Sequence, residues 1–493
     1  MIILSKEEMR KADSLTINKI GIPGSILMEN AGKSCANLIL EKYSLDNKIL
    51  VFCGNGNNGG DGFVISRWLF QKGYSVKIIV IGNPDLMSQE TKDNYILTQN
   101  LEIPTINFKN IKDISNLIDK FNIAIDAIFG IGFHGKVKEP YLSIFKAINE
   151  SSLTKISIDI ASGINSNSGK IDTAIKANQT FTIAYPKYGQ LIGKGREYSG
   201  EISVIDIGIP KKIIAEIQPK GRLISEISLP KRNQFSHKGV FGKIGLIAGS
   251  PGYSGAGIMA CKSALKSGAG LVTLIHPKEM SMIFETQLLE AMTFGYSEKN
   301  YLSEIRNKIS GMDAILIGPG LGTSQTALNI LKMLLDDWKK PLVIDADGIN
   351  LLSQNKNLLD LLAVKDVVLT PHIGEFSRLM GKKISEINDN PIQNIKEFYD
   401  KYRIPVLLKS FTSIFYDEDS LIFNTSGNDS LSTGGSGDVL AGIITSLLGQ
   451  KMSLKNATIN ASLILGKTAE FVSKKMNSTR KVLPSDIIEN LLI

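Results

Sequence analysis

The sequence predicts an α/β protein of two domains, the first built on a doubly wound parallel sheet. Short β-branched apolar runs alternate with longer segments of helical periodicity, the pattern of repeated βαβ units. The runs are apolar nearly throughout, as in strands covered on both faces. Between Pro210 and about Gly242 the alternation stops, prolines stand at 210, 219 and 230, and then it restarts. A boundary near 212–225 divides the 493 residues into expected domains 1–215 and 225–493.

In the first half KILVFC (48–53), VKIIVI (76–81), IAIDAIF (123–129), KISIDI (155–160), FTIAY (181–185) and ISVIDIGI (202–209) are the expected strands. ISRWLFQKG (65–73) and YLSIFKAINES (141–151) are the expected helices between them. In the second half the strands are KIGLIAGS (243–250), LVTLIHP (271–277), DAILIGPG (313–320), PLVIDADG (341–348), DVVLTPH (366–372) and PVLLKS (405–410).

Composition excludes several classes. Hydrophobic residues at 43% and charged residues at 21% are ordinary globular values. The net charge of +8, from 56 basic and 48 acidic residues, is spread without a run of five like charges. That is a solvated surface rather than a nucleic-acid tail, so no nucleic-acid partner is expected. No apolar run approaches the ~20 residues that span a bilayer, and MIILSKEEMRKAD does not resemble a secretory signal. Three cysteines without a CxxC pair argue against a disulfide framework or structural zinc. The expectation is a cytoplasmic, membrane-free homo-oligomer.

The sharpest feature of the first half is Gly54-Asn-Gly-Asn-Asn-Gly-Gly-Asp-Gly62, between the first strand and a helical segment. Glycines allow positive φ and close approach of backbone to a ligand. Successive N–H groups at a helix start form an anion-binding nest. A plain turn needs one or two glycines, not five in nine residues. Two further strand ends carry Asp126 and Asp159, and ligands of open α/β sheets bind outside the carboxyl ends of the strands. Each aspartate alone would suit a helix N-cap. Together, Asn58, Asp126 and Asp159-to-Ser162 converge on one crevice and offer only oxygen donors, a set for a hard cation.

GNGNNGGDG, LMENAG (27–32), DAIFGIG and DIASG, in that order, resemble the Rossmann-like epimerase domain of the NAD(P)H-hydrate repair enzymes over about residues 1–212. The resemblance implies that Asn57, Asn58, Gly59, Gly60 and Asp61 line a pocket for the hydrated cofactor. It adds Gly130, Ile131, Gly132, Phe133, His134, Gly135, Lys136 and Asp159 to that wall, with Asp159 shuttling a proton. It further implies potassium held by Asn58, Asp126 and Ser162. Ala161 stands where the family usually has proline.

In the second half Asn428-Asp-Ser-Leu-Ser-Thr-Gly-Gly-Ser-Gly-Asp-Val-Leu-Ala-Gly442 joins a Gly-rich turn to an acid and an apolar helix. Consecutive N–H groups at that helix start would stabilise developing phosphate charge, and Asp438 beside them would take a hydroxyl proton. This resembles the ribokinase-like superfamily and, within it, the dehydratase domain of the same repair enzymes, over about 225–493. SHKGVFGKIGLIAGSPGYSGA (236–256), GPGLG (318–322), DADG (345–348), LTPHIGEF (369–376) and LLKSFTSI (407–414) support it. The resemblance implies that Ala256, Gly322 and His372 contact the hydrate and that Asp438 acts on it. It implies that Lys409, Ser410, Phe411, Thr412 and Ser413, with Asn428, Thr433, Gly434, Gly435, Ser436 and Gly437, hold an adenine nucleotide. KSFTS replaces the usual KGxxT, and DADG replaces DADA. The implied co-substrate is ADP or ATP, with Mg2+ accompanying it. The implied function is the epimerisation of R- and S-NADHX and NADPHX, then nucleotide-dependent dehydration of the S form. The alternative is a kinase of a small alcohol fused to a non-catalytic Rossmann-like module.

Overall fold

The computed structural model describes residues 1–110, 113–232, 235–363 and 365–493. Two compact units divide them, Ile2–Gly221 and Arg222–Ile493, with Met1 belonging to the second.

The first unit carries β1 (Lys48–Cys53), β2 (Ser75–Val80), β3 (Thr105–Asn107), β4 (Ile123–Ala127), β5 (Thr154–Ile158), β6 (Gln179–Ile183) and β7 (Glu201–Ile205). They form one parallel sheet in the order β3-β2-β1-β4-β5-β6-β7. Alternate residues of β1 enter two different cores. Ile49, Val51 and Cys53 pack with Ala31, Cys35, Ile39 and Phe63, while Leu50 and Phe52 pack with Ile144, Phe145 and Ile148. Burial of both faces is why these strands are apolar throughout. The order reverses between β1 and β4, the switch point where such sheets bind ligands. There Cys53 pairs with Ala127 and Phe52 with Asp126, while Asp126 pairs with Ser157, so the loops after three strands open on one edge.

Two expectations need correction here. The strand expected over 202–209 ends at Ile205, because Gly208 turns the chain at φ +90°. The helix expected from Ile65 begins at Asn57, inside the glycine-rich motif.

The second unit carries β8 (Gly221–Leu223, all but its first residue), β9 (Lys243–Ile247), β10 (Leu271–Pro277), β11 (Met292–Tyr296), β12 (Ala314–Ile317), β13 (Leu342–Ile344), β14 (Val367–Leu369), β15 (Val406–Leu408), β16 (Ser413–Tyr416) and β17 (Leu421–Asn424). The sheet order is β11-β10-β9-β12-β13-β14-β15-β16-β17-β8. Strands β9 to β15 run parallel, and β16 and β17 add an antiparallel hairpin that the sequence reading did not separate from the LLKSFTSI motif. The strand expected over 366–372 shortens to Val367–Leu369, since Pro371 cannot donate and His372 caps the helix Ile373–Met380. The helix Ser436–Gly449 is buried on nearly every side against this sheet and its neighbouring helices, which matches its all-round apolar sequence. Among the described residues no helix is long and apolar enough to cross a membrane.

Candidate active sites

A cavity of about 630 Å³ lies at the β1/β4 edge of the first unit. Asn57, Asn58, Asp61, Asp159 and the loop Gly130 to His134 line it, together with Met9, Arg10, Asp13 and Asn55. Gly59 and Gly60 sit behind the wall. A Cβ on Gly59 would stand 1.9 Å from the Gly54 carbonyl oxygen, and one on Gly60 would stand 2.6 Å from Met28. A Cβ on Gly62 would stand 2.7 Å from the Ala127 Cβ and 2.8 Å from the Cys53 Sγ. None of the motif's glycines is at positive φ; close packing explains Gly54, Gly59, Gly60 and Gly62, while a Cβ on Gly56 would meet nothing within 4 Å. The freedom of φ invoked from the sequence explains none of them. Gly135 and Lys136 lie outside the cavity wall, and both are exposed.

Asp159 occupies the left-handed region at φ +66°, a strained position for an aspartate and one that functional sites tolerate. It is held from two sides. The Lys187 ammonium forms a buried ion pair with its carboxylate, and Gln190 Nε2 donates to its carbonyl at 2.8 Å. Lys187 itself is 0% exposed and also donates to Thr182 Oγ1 at 3.1 Å and the Ile183 carbonyl at 2.9 Å. Burial, then the charges of Asp159 and Asp13, push the Asp61 carboxyl well above the usual range, with Lys187 opposing.

Asp126 and Ser162 are not on the cavity wall, but Ser162 Oγ accepts at 2.8 Å from the N–H of Phe129, which is. Ser162 Oγ donates to Asp126 Oδ1 at 2.6 Å and its N–H to Oδ2 at 2.9 Å, while Ser157 Oγ donates to Oδ2 at 2.8 Å. Burial raises the Asp126 carboxyl despite these donors. Asn58, on the cavity wall, is buried with neither Oδ1 nor Nδ2 hydrogen-bonded. A buried amide oxygen without a partner costs free energy. A carboxylate, a hydroxyl and this orphaned carbonyl oxygen form a hard donor set, so the residues present fit an alkali cation.

The second unit has a cavity of about 570 Å³ beside the Gly-rich turn. His372, Lys409, Ser410, Phe411, Ser413, Asn428 and Thr433 to Gly437 line it, with Thr412 buried behind. Gly435 at φ +104° reverses the chain so that the helix Ser436–Gly449 starts at the cavity, its first-turn N–H groups free of intrahelical partners. Asp438 is the third residue of that helix. Burial and then the charge of Asp345 push it up to about 7, against the pull of Lys409. Lys409 Nζ pairs with Asp345 Oδ1 at 2.7 Å, and Thr370 Oγ1 donates to the same oxygen at 2.8 Å. A Cβ on Gly437 would stand 3.2 Å from Lys409 Nζ, so the turn lies directly over this pair.

His372 is the N-cap of its helix, its Nδ1 accepting from the Gly374 N–H at 2.9 Å while Glu375 Oε2 accepts from the His372 N–H at 2.8 Å. Burial, then Lys409, lowers the imidazole below its ordinary value, which favours this acceptor role. Gly322 and Ala256 lie outside the cavity wall. The Gly322 N–H donates to Asp347 Oδ2 at 2.8 Å, and Ala256 packs under the GPGLG turn, 3.1 Å from where a Cβ on Gly320 would be. The GPGLG turn and the helix Ser254–Lys266 that carries Ala256 follow neighbouring strands of the sheet, β12 and β9, whose register aligns Ile247 with Ile317.

The family described as NAD(P)H-hydrate dehydratase matches residues 244–492, and that described as YjeF-related protein N-terminus matches 24–189. The bifunctional NAD(P)H-hydrate repair enzyme Nnr of Dictyoglomus turgidum is 32% identical over 100% of this chain and 98% of its own length. The chain belongs to the bifunctional NAD(P)H-hydrate repair enzymes. A second member of that family, from Moorella thermoacetica, is 30% identical over 100% of this chain and 96% of its own length. The ADP/ATP-dependent NAD(P)H-hydrate dehydratase of Bacillus subtilis, solved with ATP and Mg2+, is 26% identical at a TM-score of 0.45, covering 53% of this chain and 91% of that one.

Within this repair enzyme the sequence did not mark Arg10 and Asp13 on the first cavity wall or Lys187 buried against Asp159, nor Asp345 and Glu375, which hold Lys409 and His372 of the second wall, nor Asp347. A signal existed for some. Ser5-Lys-Glu-Glu8 is a capping-box pattern announcing the helix that carries Arg10 and Asp13. Asp345 and Asp347 sit in the DADG stretch itself.

Proposed function

We propose that the unit Ile2–Gly221 interconverts the epimers of NAD(P)H hydrate at ring carbon C6, and that the unit Arg222–Ile493 dehydrates the S epimer with an adenine nucleotide. In the first unit Asp159, fixed by Lys187 at the cavity edge, moves the proton. The helix start at Asn57 and the Gly130 to Gly132 loop receive the diphosphate. Asn58, Asp126 and Ser162 would hold a potassium ion, which would supply a fixed positive charge for that diphosphate.

In the second unit Asp438 takes the proton of the C6 hydroxyl as its oxygen attacks the terminal phosphoryl group, and AMP leaves when ADP is the donor. The N–H groups at the start of helix Ser436–Gly449 receive the transferred phosphoryl charge. Phosphate then departs with the C6–O electron pair while a proton is lost from C5, which restores the C5=C6 bond of the reduced cofactor. Phosphorylation replaces hydroxide, a poor leaving group, with a good one. A Mg2+ ion would be held mainly by the nucleotide phosphates and would neutralise part of their charge. Among the described residues there is no cluster of three His, Cys, Asp or Glu to hold it alone.

The observation that supports this reading best is the same in both units: a helix N-terminus faces a cavity beside a buried, charge-coupled carboxylate. The test supplies mixed R and S hydrate with ADP and follows the absorbance of the reduced cofactor. Complete recovery requires both activities, and recovery of the S share alone requires only the second. Accumulation of a stable phosphoester without recovery identifies a small-alcohol kinase instead.

A further inference from the structure

The helix Lys6–Leu15 has no task in the reactions above and lies before the matched stretch that begins at residue 24. It is nevertheless firmly built in. Ser5 and Glu8 close its capping box, and the Lys6 N–H donates to Asn167 Oδ1 at 2.7 Å. Asn167 Nδ2 donates to Glu7 Oε2 at 2.8 Å, and Tyr188 OH to Glu8 Oε2 at 3.0 Å. Met9 and Ala12 pack in one core with Ile213 and Ile214. The spacing i, i+4 then brings both Met9 and Asp13 to the cavity wall.

Asp13 shares that wall with Asp61 and Asp159. The charged groups facing it are Asp61 from the helix Asn57–Gln71, Asp159 after β5 and Lys187 after β6. Arg10 lines the cavity from its own helix. On the helix Lys211–Ile217, packed against it, Glu216 is already paired with Lys19 at 2.7 Å on the surface. Among the described residues no side chain donates a hydrogen bond to the Asp13 carboxyl, whereas Asp159 has its ammonium. Burial first, then the Asp159 charge, push Asp13 up to about 7, with Lys187 opposing.

An interchange at C6 that passes through ring opening needs one group to take a proton and another to give one at the same moment, which calls for two carboxyls in opposite protonation states. We propose that Asp13 is a second catalytic residue of the epimerase site, protonating ring nitrogen N1 while Asp159 takes the proton of the C6 hydroxyl. The C6–O electrons form a carbonyl as the C6–N1 bond breaks, and the N1 electron pair takes the Asp13 proton. Rotation about C5–C6 presents the opposite face. The N1 electron pair then adds back to C6, N1 returns its proton to Asp13, and the new alkoxide recovers the proton from Asp159. Both carboxyls end as they began, and nothing is oxidised or reduced. The inference rests on the epimerase reading of this cavity.

The test uses the full chain and isolated R hydrate, following its conversion to S chromatographically, with hydrate binding measured by equilibrium titration. D13N lowers the exchange rate about 100-fold while the hydrate Kd stays within about threefold. The wild-type rate falls as pH rises through about 7, where Asp13 loses its proton, and D13N lacks that limb. D13E, which keeps an acid, recovers about tenfold of the loss. A D13N rate within threefold of wild type overturns the role of Asp13 and leaves the epimerase reading standing. A D13N chain that loses binding in step with rate, without rescue by D13E, makes the residue structural and also overturns it. A wild-type chain that leaves R hydrate unchanged overturns the epimerase reading and this inference together.

Discussion

At Gly54–Gly62 the chain passes from strand to helix with no glycine at positive φ, and a Cβ at Gly54, Gly59, Gly60 or Gly62 would collide with packed atoms. At Gly434–Gly437 the chain depends on Gly435 at φ +104°, while a Cβ on Gly434 would meet nothing within 4 Å. In the first turn four of the five glycines sit where neighbouring backbone or side chains leave no room for a Cβ. In the second, Gly435 alone needs a backbone conformation reserved for glycine, and it bends the chain so that a helix starts at the cavity. The surroundings differ accordingly. The first cavity couples three carboxylates to one buried ammonium, whereas the second has a fully paired Lys409–Asp345 couple beside an acid at a helix start. Glycine content alone therefore says little about which kind of site is present.

The largest effect that separates the two cavities is expected at Asp438. D438N should lower the dehydratase rate about 10²–10⁴-fold through loss of a general base, with epimer exchange unchanged in the same chain. A base acts when deprotonated, so the wild-type rate should rise with pH through about 7 and level off above it. The profile should lose this limb in D438N. Near-full dehydratase activity in D438N would give the proton transfer to another group.

Next in size is the buried ion pair of the first unit. Lys187 is 1% exposed and Asp159 12% at their side chains, so K187M leaves a carboxylate buried without its partner beside Asp13 and Asp61. Removing one member of such a pair costs about 3–5 kcal/mol. Hydrogen–deuterium exchange of the full chain should show protection lost within Ile2–Gly221 and kept within Arg222–Ile493. Equal protection in mutant and wild type would mean that the pair contributes nothing to stability.

The sequence disclosed the strands buried on both faces, because such burial leaves a nearly unbroken apolar run, as in Ile49–Cys53 or Ala314–Ile317, but not the short or less apolar β3, β8, β11, β16 and β17. It disclosed the cavity-lining turn of the second unit through TGGSGD, where the demand on the backbone and the following acid fall on adjacent residues. Lys187 was not legible, because its partner is 28 residues away and PKYG has no local pattern that marks a buried lysine. Asp13 was hidden for a similar reason, since it meets Asp159 only once helix and sheet have packed. The helix starting at Asn57 was obscured by its own glycines, poor helix formers that tertiary packing overrides.

Gly62 offers a sharper test of why the first turn is glycine-rich. A Cβ there would press on Ala127 and Cys53, both fully buried in strands of the sheet and unable to move aside. G62A should destabilise the first unit by about 1–3 kcal/mol through overpacking. It should do so without the added penalty of a left-handed backbone. The result is read as a shift in the urea midpoint of that unit's transition at unchanged slope. An unaffected midpoint would show that the helix has room to retreat and that the glycines serve the ligand instead.

The smallest expected effect lies at Ser410 in the second cavity, where the family usually has glycine. Its side chain is exposed, and its hydroxyl donates to the Thr412 carbonyl at 2.6 Å, so the side chain stabilises the loop without entering packed space. No positive φ is required at this position. S410G therefore removes one solvent-accessible hydrogen bond and should change stability by no more than about 0.5 kcal/mol. The KM for ADP should move by less than about threefold, in contrast to the cost of adding a single carbon at Gly62. A tenfold rise in KM with kcat unchanged would instead mean that the Ser410 hydroxyl, or the loop shape it maintains, contributes directly to nucleotide binding. That outcome would make the departure from glycine a specific feature of this chain's cradle rather than a tolerated one.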